Sequence, residues 1–361
     1  LIALVSLSFC IQQGILPANA EDGSINPGDS KSDSTIEFKE KLKVANRLLV
    51  EKKYELAEEA FRKLLAGDRY GDAYAGLAIA LARQDSSRKI VEAQKIVSKG
   101  KSEFTNNPNM VAAGGFVAFK HSKSVSSPAK RDLYLEASEK LCKRALSEDD
   151  SILIAWETLG SIYLMQNDPQ GAIGPFRSLL DKQPNPENLV LLAQTLLKIN
   201  PHSKEADSRL EVALRVDPSY APARLQKSIY LLNNGTVEDA ERQLHLIGKD
   251  QRGSLWNEIQ GDIYKTRSDY RLAAEYWGLA NRLDRLNPGP YLKLVRYYSR
   301  SGDYASVAAK FNDAIETLPN DINLRVQLMQ IGMLIRPQIE LELEKNLELE
   351  RQLKLHEELR L

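Results

Sequence analysis

A set of small and bulky side chains that returns about every 34 residues is the strongest constraint on what this 361-residue chain can fold into. The pattern is clearest in the stretch AWETLGSIYLMQNDPQGAIGPFRSLLDKQP, from Ala155 to Pro184. Trp156, Leu159, Gly160 and Tyr163 stand at i, i+3, i+4 and i+7, which is one face of a helix. Ala172, Phe176 and Leu179 repeat that spacing on a second helix. Between them Asp168 is placed to cap the second helix and Pro169 to open it, where its missing N–H costs nothing. Gly160 and Ala172 let the two helices approach closely, while Trp156, Tyr163 and Phe176 fill the space around the contact. Pro184 cannot continue a helix and ends the unit.

The pattern recurs downstream. Leu197, Ala206, Leu210, Ala213 and Pro218 lie 34 residues beyond Tyr163, Ala172, Phe176, Leu179 and Pro184, and Leu231, Ala240, Leu244 and Ile247 one further step on. Gly261, Tyr264, Ala273, Trp277 and Ala280 follow one residue short of the next step, then Val295, Tyr298, Val307, Phe311, Ala314 and Pro319. Upstream the units are looser: Ala45, Leu48, Ala57, Phe61 and Leu64; then Tyr74, Leu77, Ala78, Leu81, Ala93 and Val97; then Gly114, Gly115, Ala118, Leu141, Cys142 and Ala145. This makes eight helical hairpins, and such a period marks stacked repeats.

The spacing W-x2-L-G-x2-Y, A-x3-F-x2-A and P, carried by Trp156, Leu159, Gly160, Tyr163, Ala172, Phe176 and Pro184, resembles the tetratricopeptide repeat, with Leu179 in place of the last Ala. The resemblance covers about four-fifths of the chain. It implies an all-α fold, a right-handed superhelical solenoid of helix–turn–helix repeats. The expected organisation is a signal peptide over 1–20, a disordered linker over 21–34, degenerate repeats over 35–152 with an insertion near 120–132, regular repeats over 153–321, and a C-terminal capping and charged amphipathic helix over 322–361. That last helix is expected to start at Asp321 and to break at Pro337.

The first 20 residues join an apolar run, Leu1–Ile11, to the small-x-small triplet Ala18-Asn19-Ala20. This is the pattern of a secretory leader whose basic start is missing, and the run is too short to span a bilayer. The segment EDGSINPGDSKSD has almost no apolar residue. Of two cysteines, Cys10 falls in the leader and Cys142 stands alone, so no internal disulfide is expected. Lys plus Arg balances Asp plus Glu at 49 each, which argues against a nucleic-acid partner, and no basic run with interleaved aromatics is read in the sequence.

Little in the sequence points to chemistry. Gly100-Lys101-Ser102 looks like the tail of a phosphate loop, but Lys95 stands where the motif needs Gly, and a helix end is the better reading. His121, His202, His245 and His356 have no metal-ligand spacing. Asp149-Asp150 reads as a solvated turn, Cys142 as a buried thiol and Asn234-Gly235-Thr236 as an inter-helix turn. Trp156 and Trp277 read as core, and Trp256, one place out of register, as partly exposed. No catalytic residue, metal or cofactor is expected.

Function is expected on the concave face, which the resemblance assigns to the first helices of successive hairpins. In register that face carries Leu42, Asn46, Glu157 and Ser161, then Leu191 and Thr195, Leu225 and Ile229, Glu258 and Asp262, and Leu292 and Arg296, each pair at i, i+4. Some of these leucines could instead pack between neighbouring helices. One family subtype grips C-terminal carboxylates with Lys and Asn. Leu42, Leu191, Leu225 and Leu292 occupy a slot where that subtype has Lys, which excludes such a clamp. The mixed surface suits a peptide or helix laid in the groove. The expected function is a non-catalytic protein-interaction scaffold with a protein or peptide ligand, no nucleic acid, and membrane attachment only through an uncleaved leader. The leader, and a resemblance to exported bacterial members of the family, imply a periplasmic or extracellular setting. The alternative is a regulatory or accessory part of a transferase or peptidase whose catalytic domain is not in this chain.

Overall fold

The computed structural model describes residues 31–358 except 68–69, 126 and 320. The leader-like segment 1–20 and the stretch 21–30 lie outside the described residues. Among those described, every regular element is helical, and eight antiparallel hairpins precede one long helix. The chain divides after Val216 into two compact units. Unit 1 holds the hairpins α1 (Lys31–Val50)/α2 (Tyr54–Gly67), α3 (Gly71–Arg83)/α4 (Ser87–Glu103), α5 (Pro108–Ser124)/α6 (Pro128–Glu148), α7 (Leu153–Met165)/α8 (Pro169–Lys182) and α9 (Pro186–Ile199)/α10 (Lys204–Val216). Unit 2 holds α11 (Ala221–Asn233)/α12 (Val237–His245), α13 (Ser254–Thr266)/α14 (Tyr270–Leu283), α15 (Pro288–Ser301)/α16 (Tyr304–Thr317) and α17 (Ile322–Glu358). Each unit is thus a stack of helical hairpins, the all-α solenoid architecture that the spacing implies.

The hairpins form because small residues sit where helices cross. A Cβ on Gly160 would lie 2.5 Å from the Phe176 ring, and one on Gly261 would lie 2.5 Å from the Trp277 indole and 3.0 Å from the Ala273 carbonyl oxygen. Real side chains do not approach so closely, so glycine is required at both crossings. Ala172, Phe176, Ala273 and Trp277 are correspondingly buried. Asp168 accepts a hydrogen bond from the Gly171 N–H at 2.8 Å and caps α8, as the sequence suggests. Asp269, Asp303 and Asp321 cap α14, α16 and α17 in the same way.

The corners share one feature that the consensus does not advertise. Lys52, Asp85, Asn167, Gly235, Ser268 and Gly302 all have φ between 53° and 79°, and all stand at the same register position, just past the first helix of a hairpin. A left-handed residue there reverses the chain, and glycine fills only two of the six places.

Several expectations are corrected. Helix α1 begins at Lys31, inside the span read as linker, because nothing between Lys31 and Phe38 stops a helix once Phe38 and Ala45 anchor it in the core. The insertion near 120–132 is taken up largely by the two flanking helices. Its residues lengthen α5 to 17 and α6 to 21, against 13 and 14 for α7 and α8. Pro337 does not break α17, which runs unbroken for 37 residues. The proline sits on an exposed stretch, where water can satisfy the carbonyl that loses its N–H partner. Leu324, Leu328 and Ile331 seat α17 on unit 2, but Val326, Met329, Met333 and Leu334 face outward, so the outer side is less polar than a cap needs. Trp256 is buried and donates its indole N–H to the Leu244 carbonyl at 3.1 Å, whereas Trp156 is only partly buried and donates to the Asp150 carbonyl.

Candidate functional site

The first helices of the hairpins in unit 1 enclose a cavity of about 250 Å³. Leu49 of α1, Ile79 of α3, Ile154 of α7 and Leu191 of α9 supply apolar walls, and Asn46, Arg83, Glu157 and Asn188 the polar ones. Charges here are matched within the protein. Arg83 donates to Glu157 at 2.5 Å across from α3 to α7. Its charged form is favoured by that carboxylate against the cost of burial, and the balance raises its pKa above the ordinary value. Lys52, at the first corner, donates to Glu187 of α9 at 2.9 Å and joins the first hairpin to the fifth. The buried Oδ1 of Asn46 has no hydrogen-bond partner among the described residues, so the wall presents one acceptor to whatever enters.

Unit 2 has a cavity of about 520 Å³ with different walls. Lys293, Arg296, Tyr297 and Arg300 line it from α15, at i, i+3, i+4 and i+7, so one face of that helix points into it. Lys265 of α13 and Tyr270 and Trp277 of α14 line the other sides. Lys293 is paired twice, to Glu258 at 2.8 Å and Asp262 at 2.6 Å. Asp262 also accepts the Trp277 indole N–H at 3.0 Å. Burial pushes the Asp262 carboxyl above its ordinary range despite Lys293 beside it.

The residues placed on the concave face by register divide accordingly. Asn46, Glu157 and Leu191 line the first cavity and Arg296 the second. Glu258 and Asp262 come together at the Lys293 ammonium. Thr195 is fully buried, its hydroxyl donating to the Leu191 carbonyl at 2.8 Å, and is closed to a partner. Leu225 and Ile229 pack against the Leu244–Trp256–Ile263 cluster, Leu292 against the Tyr291–Leu328 cluster and Leu42 against the Phe61 cluster, so these four serve inter-helix packing. The sequence reading missed Ile79 and Arg83, whose hairpin is a loose match. It also missed the α15 stripe: YLKLVRYYSR is a basic run with interleaved aromatics, visible only when read at helical spacing.

The remaining candidates settle into structure. Gly100-Lys101-Ser102 is the last turn of α4, with the Ser102 hydroxyl donating to the Lys99 carbonyl. Gly235 is a left-handed corner, and Thr236 donates to the Leu231 carbonyl. Cys142 is free and buried, and burial pushes its thiol up to about 12. Among the described residues no His, Cys, Asp or Glu cluster could hold a metal ion, and no helix is long and apolar enough to cross a membrane.

No protein-family model matches the sequence, and no curated protein matches it. Solved structures do match in fold. The crystal structure of the APC/C hetero-tetramer Cut9–Hcn1 superposes with a TM-score of 0.61 at 13% identity, over 81% of this chain and 55% of that one. This chain therefore spans about half the length of that protein. A tetratricopeptide repeat protein from Parabacteroides merdae superposes with a TM-score of 0.56 at 16% identity, over 72% of this chain and 99% of that one. The repeating crossings define a helical-repeat protein. Its fold is the tetratricopeptide-repeat fold.

Proposed function

We propose that this chain is a non-catalytic scaffold that holds a peptide segment or helix of a partner protein against the inner faces of its hairpins. The observation that carries the reading is the unit 1 cavity, whose apolar walls at Leu49, Ile79, Ile154 and Leu191 are edged by amides and an internally neutralised ion pair. Such a surface buries apolar side chains and offers hydrogen bonds to a backbone, without a nucleophile, base or metal cluster among the described residues. The contact set that register suggested narrows to Asn46, Glu157 and Leu191 in unit 1 and to Arg296 in unit 2, with Glu258 and Asp262 holding Lys293. The test is selection of binders from a displayed random peptide library, followed by Ile79→Glu and Leu191→Glu. Selected peptides should lose at least tenfold in affinity for the variants, since each change buries a charge in the wall (roughly 1.4 kcal/mol or more). An empty selection, or peptides indifferent to both changes, would sink the reading.

The leader-like sequence of residues 1–20 supports a setting in the bacterial envelope or outside the cell. Mass spectrometry of the protein from its native source should find a mature N-terminus at Glu21. A mature chain that keeps residues 1–20 in the cytoplasm would overturn the placement.

A further inference from the structure

We infer that the inner-face cavity of unit 2 receives an acidic peptide segment, with Lys265, Arg296 and Arg300 taking its carboxylates and Tyr270 and Tyr297 taking its apolar or aromatic side chains. This deepens the scaffold reading and rests on it, because it treats an inner face as a binding surface.

The argument begins with a charge inventory. Elsewhere in unit 2 several cations have a carboxylate, namely Arg242 with Asp239, Arg267 with Glu241, Arg271 with Glu275, and Arg285 and Lys310 with Asp313, while Arg224, Arg252 and Arg325 donate to neutral oxygens of Gln243, Ile247 and Pro319. Behind the cavity lining, Glu258 and Asp262 both pair with Lys293. Lys265, Arg296 and Arg300 meet no carboxylate within ion-pair distance among the described residues, yet all three line one space. Concentrating like charges around a cavity raises the potential inside it and favours an anionic guest.

The arrangement of these cations decides what kind of anion fits. Arg296 and Arg300 are one turn apart on α15, a rise of about 6 Å. Lys265 comes from the last turn of a different helix. All three are exposed and none is buried into a converging nest, so the charge is spread along a wall instead of focused on one point. That suits several carboxylates on one chain better than a single phosphate. The volume of about 520 Å³ also exceeds what a lone ion fills. Tyr270, 45% exposed, and the partly exposed Tyr297 add flat apolar surface between the cations. A nucleic-acid strand would bring a phosphate at every step, a denser run of charge than three cations spread along one wall can match, and has no use for the tyrosine surface between them beyond stacking. The observations therefore favour a peptide with acidic and aromatic side chains.

The experiment uses the full chain and a fluorescein-labelled peptide of alternating Glu and Tyr, acetylated and amidated so that no terminal carboxylate is present. Fluorescence anisotropy should show saturable binding that weakens as salt rises and the Debye length shrinks. Combining Arg296→Gln with Arg300→Gln should weaken binding at least about tenfold, as should Lys265→Gln combined with Arg296→Gln, because charged hydrogen bonds are lost. Arg242→Gln, whose cation is matched elsewhere, should change nothing. Circular dichroism checks that each variant is folded, and two variants on different helices keep the test alive if one is not. The inference is overturned by absence of binding, by undiminished binding to both double variants, by equal binding of a Gln/Tyr peptide, or by displacement of the peptide by equimolar inorganic phosphate or oligothymidine. If library peptides still bind unit 1 while the Glu/Tyr peptide fails, only the acidic assignment falls. If both fail, the scaffold reading falls with it.

Discussion

The two units share a repeat and differ in how they balance charge. In unit 1 the cavity's Arg83 and Glu157 neutralise each other at 2.5 Å, and Lys52 and Glu187 do the same at its rim. Around the unit 2 cavity one lysine absorbs two carboxylates, and the three further cations on its lining meet none among the described residues. The consensus positions are equally well packed in both, since Phe176 and Trp277 are both buried against a glycine. Packing residues therefore specify the hairpin, and the residues between them specify what a hairpin can hold. Two stacks of one architecture can present a neutral wall and a cationic wall without any change of backbone plan.

The largest effect that could break this comparison concerns the units themselves. Phe176→Ala and Trp277→Ala should each cost about 3–5 kcal/mol. Hydrogen-exchange mass spectrometry should show each change lowering protection chiefly in its own unit. Equal loss in both units from either change would mean that they do not differ as bodies. Cys142 provides a reporter for unit 1. Its burial and raised pKa should suppress labelling by a thiol reagent at neutral pH by more than about a hundredfold relative to an exposed cysteine. Prompt labelling of the native chain would show that the α5–α6 contact opens readily.

Next in size is the matched pair. Arg83→Met leaves Glu157 partly buried without its partner and should cost about 1–3 kcal/mol by urea unfolding. Arg296→Met removes an exposed cation with no partner to strand, and should change stability by no more than about 0.5 kcal/mol. Similar values for the two would erase the distinction between the walls. A smaller test uses pH. Folded Asp262 has a raised pKa, through burial, so it holds a proton where the unfolded chain has lost it. Its contribution is full below its ordinary value of 3.8 and is lost as pH rises through the folded value. Glu241 is lowered by its hydrogen bond with Arg267, so its contribution is present above its ordinary value of 4.5 and is lost as pH falls. Between about pH 3 and 6 the wild type should therefore lose stability relative to Asp262→Asn and gain it relative to Glu241→Gln, each by no more than about 1 kcal/mol. The smallest effect is at the corners: Asn167→Gly and Ser268→Gly should each stabilise by up to about 1 kcal/mol, because both residues are held at positive φ.

Much of the fold was legible because helix crossings demand small residues at fixed intervals, and Gly160, Ala172, Gly261 and Ala273 announce them. The eight hairpins and the Asp168 and Asp321 caps follow from such local rules. What escaped depends on neighbours. Trp156 and Trp256 exchange the burial that register assigns them, because the first lies beside the Asp150 turn and the second reaches the Leu244 carbonyl. Thr195, Leu225, Ile229 and Leu292 stand at outward-looking register positions but are covered by adjacent helices, which no single-helix projection reveals. Pro337 reads as a break because the rule for helix interiors takes no account of solvent. The cationic wall escaped because whole-chain charge averages it away, while the i, i+3, i+4, i+7 spacing of Lys293, Arg296, Tyr297 and Arg300 contains it.

The contact between Lys52 and Glu187 ties residues 135 positions apart on the lining of the first cavity. Both side chains are about half exposed, so the tie is worth no more than about 1 kcal/mol and opens thermally. On the scaffold reading proposed above, a guest that reaches past this tie has to wait for the buckle to release. Added salt weakens the buckle, so it should hasten capture in unit 1 while slowing electrostatic capture in unit 2, and stopped-flow traces at two ionic strengths would move in opposite directions.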